Sequence, residues 1–241
     1  MIIENSGYCP WCEQNTRFAA YGDWLRDQYL CTQCGSIPRQ RALITILNMV
    51  RPDWRTRMVH ESSPSDTTLS RRCPGYTCSH LFDDVCPGDI HNGFRCENIE
   101  SLTFPDNSFD IFITQDVLEH VFKPETALSE ICRVLKNDGG IHVFTVPVHK
   151  SLSVSYCRAT LSEEKVIHLL PPEYHGNPIS EAGSLVTWDY GADFEMLVQK
   201  WSGYQTGRFV IRDRFCGIDG EYLDVFVTTK RPGNIVKSGD D

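Results

Sequence analysis

The sequence predicts an α/β fold, a doubly wound and mostly parallel sheet with a small metal-binding ribbon in front of it. Three observations carry this. Two C-x2-C pairs, "CPWC" and "CTQC", stand 18 residues apart near the N-terminus. From about residue 57 onward, short apolar runs of strand length alternate with helix-like stripes. The last two β-rich runs, "GRFVIRDRF" and "EYLDVFVTTK", have no helix between them, which predicts an antiparallel pair closing the sheet.

The front element is defined by Cys9, Cys12, Cys31 and Cys34. A two-residue spacer lets both sulfurs of a pair reach one ion, and two pairs complete a tetrahedron. Four thiolates leave no open position, so the predicted metal is a structural zinc. Gly35 suits the tight turn after the second pair. The stretch between the pairs reads as short hairpin strands with a turn at Tyr21–Asp23. The competing reading is free or redox thiols, which the doubled spacing disfavours. The ribbon is assigned to residues 1–38.

Residues 39–56 form a linking helix, with Leu43, Ile44, Leu47 and Val50 at helical spacing and Pro52 at its end. The main domain then runs over 57–232. Its expected elements are a strand at Arg57–Glu61, a helix near Thr67–Arg72, a strand near Tyr76–Leu81, and a short strand over Phe94–Asn98. "SFDIFITQD" is a buried strand. "PETALSEICRVLKNDGG" is a helix started at Pro124, striped by Ala127, Leu128, Ile131 and Leu135, and stopped by Gly139. "GGIHVFTVP" is another buried strand, and "ADFEMLVQKWSGY" a last helix. The final pair is expected around a turn at Gly217–Gly220. Residues 148–190 are too long for a plain connection and are assigned to a substrate-side insertion or lid. Residues 233–241 are read as a flexible tail.

Composition bounds the function. The net charge is −9, yet residues 1–58 hold seven arginines against five acids. The excess acid therefore lies in the main domain, which disfavours a nucleic-acid partner. Arg39, Arg41, Arg51, Arg55 and Arg57 read as a solvated helix face rather than an anion patch. No apolar run approaches the ~20 residues of a membrane span, and the N-terminus has no secretory pattern. A cytoplasmic chain without membrane contact is expected. Eleven cysteines in such a chain are read as metal ligands or buried thiols rather than disulfides. Oligomeric state is left open.

The stretch "SLTFPDNSFDIFITQDVLEHVFKPETALSEICRVLKNDGGIHVFTVP", Ser101 to Pro147, resembles the central signature of class I S-adenosylmethionine-dependent methyltransferases of the methyltransferase-11 type. With its ribbon and "CGSIPRQRAL", the chain is similar to a bacterial subgroup of that family. The resemblance implies a seven-stranded, Rossmann-like sheet and S-adenosylmethionine as cofactor. It places His60 or Glu61 where the family has an acid, and Ser62, Ser63 and Pro64 in the first strand-to-helix turn, where the family has glycines. Serine hydroxyls and N–H groups there are expected to cradle the cofactor's amino-acid end. Ser79 stands where an acid grips the ribose. Asn98 and the Ile99 N–H stand at the adenine. Thr114, Gln115 and Asp116 face the methionine side, and Glu119 and His120 open the helix behind it. Asn98 and Ser79 also read as plain turn formers, and His120 as a packed histidine.

Methyl transfer asks mainly for in-line positioning, and a base only where the acceptor must lose a proton. His149 and His175, on the insertion, are the candidate bases, and Tyr174 and Trp188 the candidate packing surfaces. The reading is methyl transfer to a small molecule or glycan precursor. Two others stand beside it: an RNA methyltransferase with a ribbon for recognition, and a non-catalytic binding or scaffold protein that has lost the glycines and the ribose acid.

Overall fold

Alternation along the central strands sorts their side chains to two faces, because successive strand residues point to opposite sides. In the computed structural model, which describes residues 3–163, 165–177 and 180–231, this sorting builds one core on each face of a single large sheet. The tail expected at 233–241 lies outside the described residues.

The ribbon consists of β1 (Ile3–Cys9), β2 (Gln14–Ala20), a single helical turn α1 (Leu25–Gln28) and β3 (Tyr29–Cys31), paired antiparallel in the order β1-β2-β3. Helix α2 (Pro38–Val50) follows, with Pro38 in its first turn and Gln40 capping the Ile37 N–H at 3.0 Å. The main sheet is made of β4 (Val59–Ser62), β5 (Tyr76–His80), β6 (Ile90–His91), β7 (Phe94–Cys96), β8 (Ile111–Gln115) and β9 (Ile141–Thr145), then β16 (Thr206–Phe209) and β17 (Val225–Thr229). Its order is β16-β17-β9-β8-β4-β5-β7-β6. Strands β7, β5, β4, β8 and β9 are parallel, and β17 runs antiparallel to β9.

Helices α3 (Pro124–Val134) and α4 (Phe194–Ser202) cover one face, burying Leu128, Ile131, Phe194 and Val198 against Phe112, Phe144 and Phe226. On the other face, Ile111, Ile113, Ile141, Val143 and Val225 meet α2 and, through it, the ribbon's Trp11, Phe18 and Tyr29. Among the described residues no helix is long and apolar enough to cross a membrane.

Several expectations need correction. The sheet has eight strands rather than seven, because β6 folds back on β7 as a two-residue edge hairpin. The helix expected at Thr67–Arg72 is one 3-10 turn, Thr68–Arg71, and the Asp66 carboxylate accepts from the Thr68 N–H at 2.7 Å. Such side-chain-to-backbone bonding competes with helix. Helix α3 ends at Val134, since Leu135 is already extended at ψ 140°. The last pair is no tight hairpin: residues 210–224 loop out against the ribbon and α2, where the Tyr8 N–H donates to Phe215 O and Arg41 Nε of α2 to Gly217 O.

Among its described residues the insertion is built of short strands. It forms three small antiparallel pairs: β10 (Tyr156–Cys157) with β15 (Trp188–Asp189), β11 (Ala159–Ser162) with β12 (Lys165–His168), and β13 (Tyr174–Asn177) with β14 (Ser180–Leu185). Short polar strands of two to six residues leave no period to read.

Candidate functional site

The two cysteine pairs adopt the same turn. The Glu13 N–H donates to Cys9 O at 2.7 Å and the Gly35 N–H to Cys31 O at 2.8 Å. The residue after each pair is left-handed, Glu13 at φ 59° and Gly35 at φ 72°. All four sulfurs lie within 4.8 Å of one another, with Cys9–Cys34 at 3.8 Å and Cys12–Cys31 at 4.0 Å. A tetrahedral ion with ~2.3 Å metal–sulfur bonds sets its sulfurs about 3.8 Å apart. The donor set therefore fits one thiolate-preferring divalent ion. Thr16 and Ser36 hydroxyls stand 3.4 Å from Cys31 and Cys9 Sγ.

The carboxyl ends of the parallel strands are where an open α/β sheet binds ligands. The glycine-free turn after β4 solves its backbone problem without glycine: Ser63 is left-handed at φ 55°, and its N–H donates to Ser79 O at 2.8 Å. Gln40 of α2 ties the loop down through Nε2 bonds of 2.9 Å to Ser65 Oγ and Asp66 Oδ2. Glu61 is buried, accepting from Tyr76 Oη at 2.7 Å and Gln115 Nε2 at 2.8 Å. Burial pushes its carboxyl up to about 7, although both hydrogen bonds work against the shift. Gln115 Oε1 is buried with no partner among the described residues, an acceptor free for a ligand's N–H.

Asp116 directly follows β8 in a left-handed conformation, φ 53°. It takes Arg26 of the ribbon and Arg39 of α2 on one oxygen and Thr145 Oγ1 at 2.9 Å on the other. Burial pushes its carboxyl up, but the two guanidinium charges outweigh that and hold it well below the usual range. Neither arginine carries a sequence signal, because the contacts span 90 and 77 positions.

Other predicted contacts turn inward. His60 packs among Phe104, Phe109 and Phe112 and bonds Thr77 Oγ1 at 2.9 Å and Ser79 Oγ at 3.0 Å. Burial drives its imidazole down to about 3, so it is a neutral core residue. Ser79 is fully buried with its hydroxyl on His60, so no hydroxyl is left over for a ribose. Asn98 closes its own turn by accepting from the Glu100 N–H at 2.9 Å, and Ile99 belongs to the core. Thr114 is buried, 3.0 Å from His142 Nε2. Ser62 is nearly buried beside the turn.

Glu119 and His120 lie in a 3-10 turn, Leu118–His120, rather than opening α3. The insertion clamps this turn: Thr187 N–H and Oγ1 donate to Glu119 O, and Tyr190 Oη to Leu118 O. His120 Nδ1 sits 2.8 Å from Leu185 O, and its ring meets that of His175 edge-on at 5.3 Å. Glu119 was missed as a site residue. Burial, then the charge of Asp116, pushes its carboxyl well above the usual range. The other candidate base, His149, stands apart from this group, with Nε2 3.5 Å from Asp189 and Nδ1 3.4 Å from Tyr222 Oη. Tyr174 is exposed, and Trp188 stacks on Tyr190.

A cavity of about 750 Å³ lies at the other end of the sheet, lined by Arg51, Gly139, Tyr204 and Phe209 among others. It is remote in the fold from the strand ends that carry Ser63 and Gln115.

Comparison with known proteins adds the following. Residues 78–143 match the family model described as "Methyltransferase domain". The chain is 26% identical over 120 residues to a ubiquinone biosynthesis O-methyltransferase of Parvibaculum lavamentivorans, covering 45% of this chain and 46% of that protein. It is 50% identical over 46 residues to an uncharacterized methyltransferase of Schizosaccharomyces pombe, covering 19% and 16%. An S-adenosylmethionine-dependent methyltransferase from Mesorhizobium loti aligns with TM-score 0.48 and 11% identity, over 78% of this chain and 97% of that one. The chain spans less than half the length of the curated relatives it matches. The matched segment runs from β5 into β9, and the strand order around it is that of a Rossmann-like fold.

Proposed function

We propose that the chain is an S-adenosylmethionine-dependent methyltransferase whose acceptor is a small molecule or glycan precursor, with a structural zinc in the four-cysteine ribbon. The observation that carries the cofactor reading is the left-handed Ser63 turn beside the unpaired Gln115 Oε1, at the carboxyl ends of the two central strands. Ser62, Ser63, Glu61 and Gln115 would hold the amino-acid end of the cofactor. The bound cofactor supplies an activated methyl group, and the chain's part is to orient it and exclude water. His149, beside Asp189, which Arg158 Nη1 holds at 2.5 Å, would take a proton from an acceptor that must lose one.

The arginines after the ribbon favour a small acceptor over RNA. Arg39 and Arg41 are committed inside the fold, Arg51 donates to Gly139 O, and Arg55 and Arg57 pair with Glu13 and Asp53. Little free positive charge remains for phosphates.

Calorimetry with S-adenosylhomocysteine tests the reading. Saturable binding is expected, about tenfold weaker in Gln115→Ala, a change of ~1.4 kcal/mol. The Ser79–His60 bond favours the second reading, a non-catalytic binding module, because it spends the hydroxyl expected at the ribose. No heat at any soluble ligand concentration would decide for that module.

A further inference from the structure

We propose that Glu119, His120 and His175 form a binding site for one divalent first-row transition cation, separate from the cysteine ribbon. One ligand atom from each lies within 4.8 Å of the other two. The carboxylate is the telling member. Glu119 is 2% exposed, and both of its oxygens are buried without a hydrogen-bond partner among the described residues. An unpaired buried carboxylate is costly, and a cation removes that cost.

The two histidines are arranged as metal ligands are. The Leu185 carbonyl at 2.8 Å accepts from His120 Nδ1–H, which leaves the Nε2 lone pair outward, 3.8 Å from Glu119 Oε1. A backbone carbonyl on the far nitrogen is the usual way a metal-binding imidazole is fixed. His175 is on β13, where the ladder bulges between His175 and Asn177, and a bulge re-aims the side chain it carries. Glu173 Oε1 lies 3.6 Å from His175 Nε2 and is half exposed, so a second carboxylate is at hand. Two bonds of ~2.1 Å on one ion place ligands roughly 3–4 Å apart. A modest turn of the half-exposed His175 closes the difference.

The pieces arrive from distant parts of the chain. Glu119 and His120 follow β8, and His175 comes from the insertion, which Thr187 and Tyr190 stitch to the same turn. Two imidazoles and one carboxylate suit zinc, manganese or iron, and three protein ligands leave positions open. An ion with open positions lowers the pKa of a hydroxyl bound to it. Where the methyl-transfer reading holds, an acceptor with a hydroxyl group fits this place.

The test uses the full chain with zinc already in the ribbon, and Mn2+ as probe, since thiolates disfavour it. Loss of the free-ion electron paramagnetic resonance signal should report about one Mn2+ per chain. Glu119→Gln and His175→Ala should each weaken binding at least tenfold, and His168→Ala, exposed on β12, should leave it unchanged. S-adenosylhomocysteine calorimetry on His175→Ala is read separately, so failure of the metal site and failure of the methyltransferase reading are distinct results. No Mn2+ bound at millimolar ion, or binding in Glu119→Gln and His175→Ala as tight as in the native chain, overturns the site.

Discussion

The two faces of the central sheet are covered by different means. On one face α3 and α4 lay amphipathic stripes over Phe112, Phe144 and Phe226. On the other, the link between β4 and β5 yields only a 3-10 turn, and the cover is α2 backed by the ribbon. The helical cover holds itself together through backbone bonds along each helix. The ribbon is a three-stranded sheet too small to bury much core of its own, and the proposed metal joining Cys9, Cys12, Cys31 and Cys34 would fix its shape. Yet Cys9, Trp11, Phe18, Tyr29 and Cys31 belong to the same core as Val59, Ile111 and Val143. The four-cysteine module thus closes half of the main fold.

The largest expected effect follows. Removal of the proposed zinc by a chelator, or Cys31→Ser, should unfold the whole chain in one transition, because structural zinc sites of this kind contribute ~10–16 kcal/mol of apparent binding energy. Ile131→Ala on the helical face should cost ~2–5 kcal/mol and leave zinc content unchanged. Circular dichroism melts with metal analysis check both. A ribbon that melts alone, with the rest unaffected, would show that the shared core does not couple the two.

Next in size is the buried guanidinium that joins α2 to the ribbon. Arg41 is fully buried; it donates to Tyr29 O at 2.6 Å, to Gly217 O at 2.6 and 3.0 Å, and to Ser36 O, and lies 4.7 Å from the Phe18 ring. Arg41→Ala strands these carbonyls, each costing about 1–3 kcal/mol. Urea denaturation should show a loss of at least ~3 kcal/mol. Arg41→Lys should recover little, since an ammonium lacks the planar fork.

What was legible in the sequence follows the same division. The buried runs of β4, β8 and β9 and the stripe of α3 are local patterns, and each appears near its expected place. The spacing of the cysteine pairs is equally local, and so is the turn at Gly35. The failures are matters of partnership across the chain. His60 and Ser79 read as strand-end contacts, but strands β4 and β5 pair so that the two side chains satisfy each other. Asp116 reads as a ligand contact, but two distant arginines hold it. Glu119 looked like the start of a helix, and only the folded insertion sets His175 beside it.

The smallest effect concerns adjacent residues on β4 that face opposite covers. His60 points into the phenylalanine layer and is held neutral by burial. Glu61 points the other way, and burial raises its carboxyl from 4.5 to about 7. A carboxyl whose folded pKa is raised binds its proton more tightly when folded. Its stabilising contribution is full below about 4.5, and it is lost as pH rises through about 7. The range amounts to at most ~3 kcal/mol. Glu61→Gln stays neutral at every pH, at a cost of ~1 kcal/mol for rearranging the bonds to Tyr76 and Gln115. Relative to the native chain, Glu61→Gln should therefore gain stability between pH 5 and pH 8. Urea midpoints of both proteins at the two pH values measure it. An unchanged difference between them would mean that Glu61 keeps an ordinary pKa and that the face it points to is wetter than the helical one.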